Sequence, residues 1–232
     1  MRPRTNALLT SGWLALVLIA GLAAQTPGVH PISGRRYAPV MGYQGAPWLE
    51  RSEREEEEAP DVALNALRIP KGASVADIGA GSGYLTVRLA ARVGPAGRVF
   101  ANDVQPQMLN MLARRLSTSK ITNVTLVEGT FDDPKLPPAS VDLVLMVDVY
   151  HELSQPQAML RHQKRALKPG GRLVLLEYRK EDPTVPIKPE HKMSVAEAKM
   201  EVEAEGFTLQ KVDEVLPRQH ILIFMAKPQA DF

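Results

Sequence analysis

Apolar positions follow two alternating rhythms along this chain. From residue 73 onward, short runs rich in Val, Ile and Leu recur: "SVADIG", "GRVFAND", "NVTLVEG", "VDLVLMVD" and "GRLVLLEY". Between them lie "YLTVRLAARV", "PQMLNMLARRLSTS" and "PQAMLRHQKRALK", with apolar residues three and four apart. The short runs read as strands, and the longer stretches as amphipathic helices. Their alternation predicts βαβ units, hence an α/β fold with a parallel sheet covered on both faces. "KPGG" at 168–171 reads as the stop of one helix and the start of the next strand. The tail breaks the rhythm. After the helical "SVAEAKMEVEAEG", the strands "LQKVDEVLP" and "QHILIFMAK" are separated by Pro217 and Arg218 alone, which allows an antiparallel pair and no helical crossover.

Ahead of this domain, taken as residues 71–232, "PWLERSEREEEEAPDVALNALRI" reads as a helical region over 47–70, interrupted at Pro60 and resuming with Asp61 as a cap. The acidic run Glu55–Glu58 reads as a solvated helix face. Residues 25–46 are rich in Pro and Gly without periodicity and read as a linker or loosely packed arm. Residues 1–24 have Arg2 and Arg4 followed by an uncharged apolar stretch, the pattern of a secretory signal peptide cut near Ala24 or of an uncleaved membrane anchor. That pattern predicts export or tethering to a membrane through residues 1–24.

The chemistry concentrates in "VADIGAGSGYL", residues 75–85, where a strand turns into a helix through Gly79, Gly81 and Gly83. The dinucleotide fingerprint is G-x-G-x-x-G, and its third glycine position is here Tyr84. Asp77 places a carboxylate just ahead of the turn, which repels a pyrophosphate and favours a cationic ligand. The stretch closely resembles the first motif of class I S-adenosylmethionine-dependent methyltransferases, and the resemblance extends over about residues 62–227. It implies a Rossmann-like, doubly wound, mostly parallel seven-stranded sheet with an antiparallel final strand. It implies S-adenosylmethionine as cofactor, held by Asp77, Gly79, Gly81, Gly83, Asp103 and Val104, with Asp103 on the ribose hydroxyls. Thr130 and Phe131 are expected to line the pocket, and Asp132 or Asp133 to meet the adenine. "DVYHEL" departs from the motif of nucleic-acid and protein amide N-methyltransferases. It looks more like small-molecule methyltransferases, including quinone-type C-methyltransferases.

Ligands of open α/β sheets sit beyond the carboxyl ends of the strands. Asp148, Val149, Tyr150 and His151 end the fourth strand and are expected to face the reacting methyl, with His151 the candidate base because imidazole titrates near neutrality. The alternative for His151 is a helix-cap role bonded to Glu152 or backbone. Glu177 and Tyr178 are expected near the acceptor, followed by a substrate-side loop with His191 and Lys192 exposed. Trp48 reads as packing, or as part of a lid formed with the arm.

Composition then narrows the partners. Of 28 basic residues two lie in 1–24, leaving 26 against 26 acidic, a balance that gives no footprint for nucleic acid. The absence of cysteine excludes disulfides, thiolate metal sites and a thiol nucleophile, and no metal site is read. The expected partner is a small-molecule acceptor; oligomeric state is not legible. Two rivals are a nicotinamide oxidoreductase, which lacks its third glycine, and an exported, non-catalytic S-adenosylmethionine- or nucleoside-binding protein.

Overall fold

The apolar runs become seven strands of one sheet: β1 (Ser74–Ile78), β2 (Arg98–Asp103), β3 (Val124–Glu128), β4 (Val141–Val147), β5 (Leu167–Tyr178), β6 (Phe207–Asp213) and β7 (Gln219–Ala226). Their order is β3-β2-β1-β4-β5-β7-β6, with only the pairings of β7 to β5 and β6 antiparallel. The computed structural model describes residues 28–228. Residues 1–24 lie outside them, and among the described residues no helix is long and apolar enough to cross a membrane.

Central strands have both faces covered because their side chains alternate between two cores. Val75, Leu143, Leu145, Val174 and Ile221 pack against α3 (Pro60–Ala66) and α4 (Tyr84–Val93) through Leu64, Leu89 and Val93. Ala76, Ile78, Val144, Met146 and Leu222 pack on the opposite side, where α6 (Pro156–Ala166) and α7 (Val195–Ala204) contribute Leu160, Ala198 and Val202. Helix α5 (Pro106–Thr118) seats Leu112 and Leu116 against Ala101 of β2. Each apolar stripe sits at helical spacing, so burying it fixes which face of the sheet the helix covers.

Several boundaries differ from the sequence reading. Helix α6 ends at Ala166, and Lys168–Gly171 forms the irregular start of β5, where the register against β4 shifts between Val141 and Leu143. Residues 214–218 join β6 to β7, a longer link than two residues, and it buries Leu216. The helical region over 47–70 breaks into α1 (Ala46–Leu49), α2 (Arg54–Glu58) and α3, the last two separated at Ala59, which adopts a left-handed φ of 47° immediately before Pro60.

The arm is not loose over its described part. Arg35 donates from Nε and Nη2 to the two carboxylate oxygens of Glu201 on α7, each at 3.0 Å. Both side chains are buried, so removing one partner would strand a charge at a cost of about 3–5 kcal/mol. Arg35 Nη1 and the Ala38 N–H both donate to the carbonyl of His151, each at 3.0 Å. The arm therefore ties the far face of the sheet to the end of β4.

Candidate active site

Strand order reverses between β1 and β4, and a cavity of about 590 Å³ opens beyond the carboxyl ends there. Its floor is the end of each central strand: Gly79 and Gly81 after β1, Asp103 and Val104 at β2, Asp148 and Val149 after β4, and Tyr178 of β5. Its roof is the arm and first helices, including Met41, Trp48, Arg51 and Arg54. Gln105 pins the roof down, donating from Nε2 to the Met41 carbonyl at 3.0 Å and accepting the Tyr43 N–H at 2.8 Å.

The glycine turn brings backbone up to the cavity. Gly79 and Gly81 have φ of 69° and 56°, and an added Cβ would lie 2.5 Å from Val149 Cγ2 and 2.8 Å from Leu49 Cδ1. Only glycine fits both conditions. Asp103 holds the turn in place: its Oδ2 accepts the Gly81 N–H at 2.9 Å and its Oδ1 the Gln105 N–H at 2.8 Å. Burial raises the Asp103 pKa, although these backbone donors favour its ionised form.

Charge is concentrated at the end of β4. Asp148 adopts a left-handed φ of 54°, its N–H bound to the Leu176 carbonyl and its Oδ2 to Gln219 Nε2 at 2.8 Å. Its Oδ1 is buried without a hydrogen-bond partner. Burial, reinforced by Glu58 and Glu177, raises its pKa well above the usual carboxylate value. A strained residue carrying an orphaned acceptor at a cavity wall is an arrangement suited to a cationic ligand.

His151 lies in the single turn Tyr150–Glu152 that follows β4 and is 2% exposed. Its Nδ1 is 2.5 Å from Glu177 Oε2, and Glu177 is held in turn by the Tyr150 N–H on Oε1 at 2.9 Å. Its Nε2 is 3.2 Å from Nδ1 of His191. Burial works to lower the His151 pKa, but the Glu177 carboxylate outweighs it and the net shift is upward. The His191 pKa is lowered by burial and by His151, and burial lifts that of Glu152 to about 7. A carboxylate on Nδ1 leaves Nε2 of a neutral His151 as a lone-pair acceptor facing the cavity, which is the posture of a general base.

Comparison with known proteins agrees with this geometry. Residues 75–171 match the family described as "Methyltransferase domain". The chain carries a methyltransferase domain. A structure of an S-adenosylmethionine-dependent methyltransferase from Aquifex aeolicus superposes with a TM-score of 0.76 at 28% identity, covering 81% of this chain and 100% of that one. A ubiquinone/menaquinone biosynthesis C-methyltransferase of Hahella chejuensis is 35% identical over 117 residues, 50% of this chain and 46% of that one. The chain thus spans about half the length of the curated relatives it matches. The cyclase SpnF shares the fold, with a TM-score of 0.63 at 17% identity over 73% of this chain and 80% of its own.

Within the methyltransferase domain, the cavity wall gathers Gly79, Gly81, Asp103, Val104, Phe131, Asp148 and His151. Other expected site residues lie elsewhere. Asp77 is buried beneath the turn, accepting from Thr86 Oγ1 at 2.6 Å, outside the cavity wall. Gly83 packs away from the cavity, where an added Cβ would run into Leu112 Cδ1. Tyr150 points into the core of the opposite face, its ring 5.7 Å from the Arg35 guanidinium. Successive residues after a strand end cannot all face one side. Asp132 is partly exposed and bound by Thr130 Oγ1, while Asp133 pairs with His162 at 3.3 Å. The turn after β3, closed by the Thr130 N–H on the Asp133 carbonyl, aims both acids away from the cavity wall.

Four expectations about neighbours also change. Glu58 is buried, bound by Arg54 Nε at 2.6 Å, Arg51 Nη2 at 2.7 Å and the Tyr178 hydroxyl at 2.8 Å, so the acidic run is solvated only in part. Lys192 is buried with its Nζ on the Asp182 carbonyl, and His191 is half-buried at the cavity. Glu177 acts behind His151 and not in the cavity wall. Trp48 is 51% exposed, with the Arg51 guanidinium 3.8 Å from its ring, and belongs to the roof. Met41, Arg51 and Arg54 carried no sequence signal, because a roof exists only once the chain has folded back.

Proposed function

We propose that the protein transfers a methyl group from S-adenosylmethionine to a small molecule with an apolar body and an ionisable oxygen or nitrogen. What carries this reading is the convergence of the Gly79–Gly81 turn, Asp103 and the His151–Glu177 pair on one roofed cavity. The turn and Asp103 suit an adenosine, with the carboxylate accepting from the vicinal hydroxyls. The orphaned oxygen of Asp148 suits the cationic end of the cofactor. When bound, S-adenosylmethionine supplies an electrophilic methyl whose leaving group is a neutral thioether. The chain's contribution is alignment and exclusion of water, for which the roof over 39–54 is placed. His151 takes the acceptor proton on Nε2, and Glu177 holds the ring and stabilises the imidazolium. Ile187, Pro186 and Val40 supply apolar cavity wall for the body of the acceptor.

The Hahella relative is named as a C-methyltransferase of quinone biosynthesis, which supports an acceptor with an apolar body. The fold alone does not decide this, since a cyclase shares it. The deciding assay offers methyl-labelled S-adenosylmethionine and fractionated small-molecule extracts to the purified protein. Label should enter an organic-extractable product, and His151→Ala should bind the cofactor normally while turning over about 10²–10⁴ times more slowly. Saturating cofactor binding with no label transferred to any fraction would favour a binding protein. Export or tethering through residues 1–24 belongs to the same proposal, and a fusion of residues 1–46 to a reporter active only outside the cytoplasm tests it.

A further inference from the structure

The contacts around His151 do more than orient a base. His151 Nε2, His191 Nδ1 and a Glu152 carboxylate oxygen lie within 4.8 Å of one another, the one such cluster among the described residues. The two imidazole nitrogens are 3.2 Å apart, and His191 Nδ1 is 3.9 Å from Glu152 Oε1. Two ligands about 2.05 Å from one ion lie roughly 2.9 Å apart at a right angle and roughly 3.3 Å apart at the tetrahedral angle. The nitrogen pair already has that bite, and the carboxylate, within 4.8 Å of both nitrogens, needs to move in by up to about 1.5 Å to share it. The rings stand at 81° to each other, an edge-to-face arrangement with the two nitrogens converging.

We propose that His151, His191 and Glu152 form a binding site for a divalent transition metal ion, with its remaining coordination positions facing the cavity. Two imidazoles and one carboxylate suit Zn(II), Co(II) or Fe(II) better than Mg(II) or Ca(II), which prefer oxygen ligands. The outer layer expected of such a site is present. Glu177 takes the far nitrogen of His151, fixing Nε2 toward the ion, and is itself anchored by the Tyr150 N–H. The Met41 N–H reaches Glu152 Oε1 at 3.3 Å, so the roof also helps to position a ligand. His191 comes from the short turn Pro189–His191, far along the chain from the end of β4, so the site exists only in the folded protein. All three ligands border the cavity; with the ion bound the Nε2 lone pair of His151 is occupied, so in the metal-bound protein the ion replaces that nitrogen in activating the acceptor, taking its hydroxyl as the anion with the proton released to water. That last step rests on the methyl-transfer reading; metal binding itself does not.

The test is titration of chelator-treated full-length protein with Co(II) by absorbance and with Zn(II) by calorimetry, alongside S-adenosylmethionine binding in every sample. One equivalent should bind, with visible Co(II) bands displaced by Zn(II). His191→Ala should weaken Zn(II) by at least 100-fold, and Glu177→Gln, which touches no ion, by about 10–100-fold. His162→Ala, at a partly exposed histidine outside the cluster, should bind metal as the parent does. Retained melting behaviour separates loss of a ligand from loss of fold. Absence of stoichiometric binding by the parent, or unchanged binding by folded His191→Ala, overturns the site. If metal binds and S-adenosylmethionine does not, the site stands and the methyl-transfer reading falls.

Discussion

Replacing Asp103 with Asn tests the centre of the cofactor assignment. The Asp103 carboxylate carries two loads at once. It accepts the Gly81 N–H and the Gln105 N–H on different oxygens, at 2.9 and 2.8 Å, and it borders the cavity. Asn has a single acceptor oxygen, so its amide group turns a donor toward one of those N–H groups. Leaving one buried backbone donor unpaired costs about 1–3 kcal/mol of stability. The bonds to the ribose hydroxyls, charge-assisted in the parent, are worth about 1.5–3 kcal/mol of binding, or roughly 10- to 150-fold in affinity. Calorimetry with S-adenosylmethionine gives the affinity, and thermal melting reports the fold. An analogue lacking the 2′-hydroxyl separates the two loads, because it should lose affinity for the parent and little further for Asp103→Asn. A folded Asp103→Asn variant within about twofold of the parent affinity would refute the role given to this carboxylate.

Two further outcomes follow from groups just outside the cavity. Burial raises the Asp77 pKa from 3.8 to about 6, against the opposing bond from Thr86, so the folded chain binds a proton there more readily than the unfolded one. Its contribution to stability is present below pH 3.8 and is lost as pH rises through 6. From pH 8 to pH 5 the parent should therefore gain about 1.4 kcal/mol relative to Asp77→Asn in urea unfolding, and a constant difference between the two would show Asp77 to be an ordinary carboxylate. Gly83→Ala forces a side chain onto a φ of 89° and into Leu112, which should destabilise the protein by about 2–5 kcal/mol. Adding Leu112→Ala to it should cost less than the sum of the two single changes in thermal melts, and strict additivity would mean that the contact is not made.

The sheet was legible because each strand announces itself locally. Continuous apolar runs such as "VDLVLMV" can be buried only between two layers, and the helices between them carry stripes of matching width. The glycine turn was legible for a similar reason: positive φ and close approach leave glycine little competition. The roof was not. Residues 28–46 have no rhythm, and what docks them is contact with distant segments: Arg35 with Glu201, Ala38 with the His151 carbonyl, and Met41 and Tyr43 with Gln105.

Taken alone, the sequence determined the order of strands and helices, the antiparallel tail, the turn at Gly79–Gly81 and the carboxylate at Asp103. All of these rest on interactions within a few residues or on a periodic pattern. Tertiary structure decided which neighbours of those residues share the cavity. It turned Tyr150 into the opposite core while His151 stayed at the site, and it left Asp132 and Asp133 outside the cavity wall while Phe131 borders the cavity. It also brought His191 and Glu177 from separate segments onto the two nitrogens of one imidazole. Side-chain direction after a strand end depends on one or two backbone torsions, and the meeting of distant segments depends on the whole packed core. Neither quantity is written in local pattern.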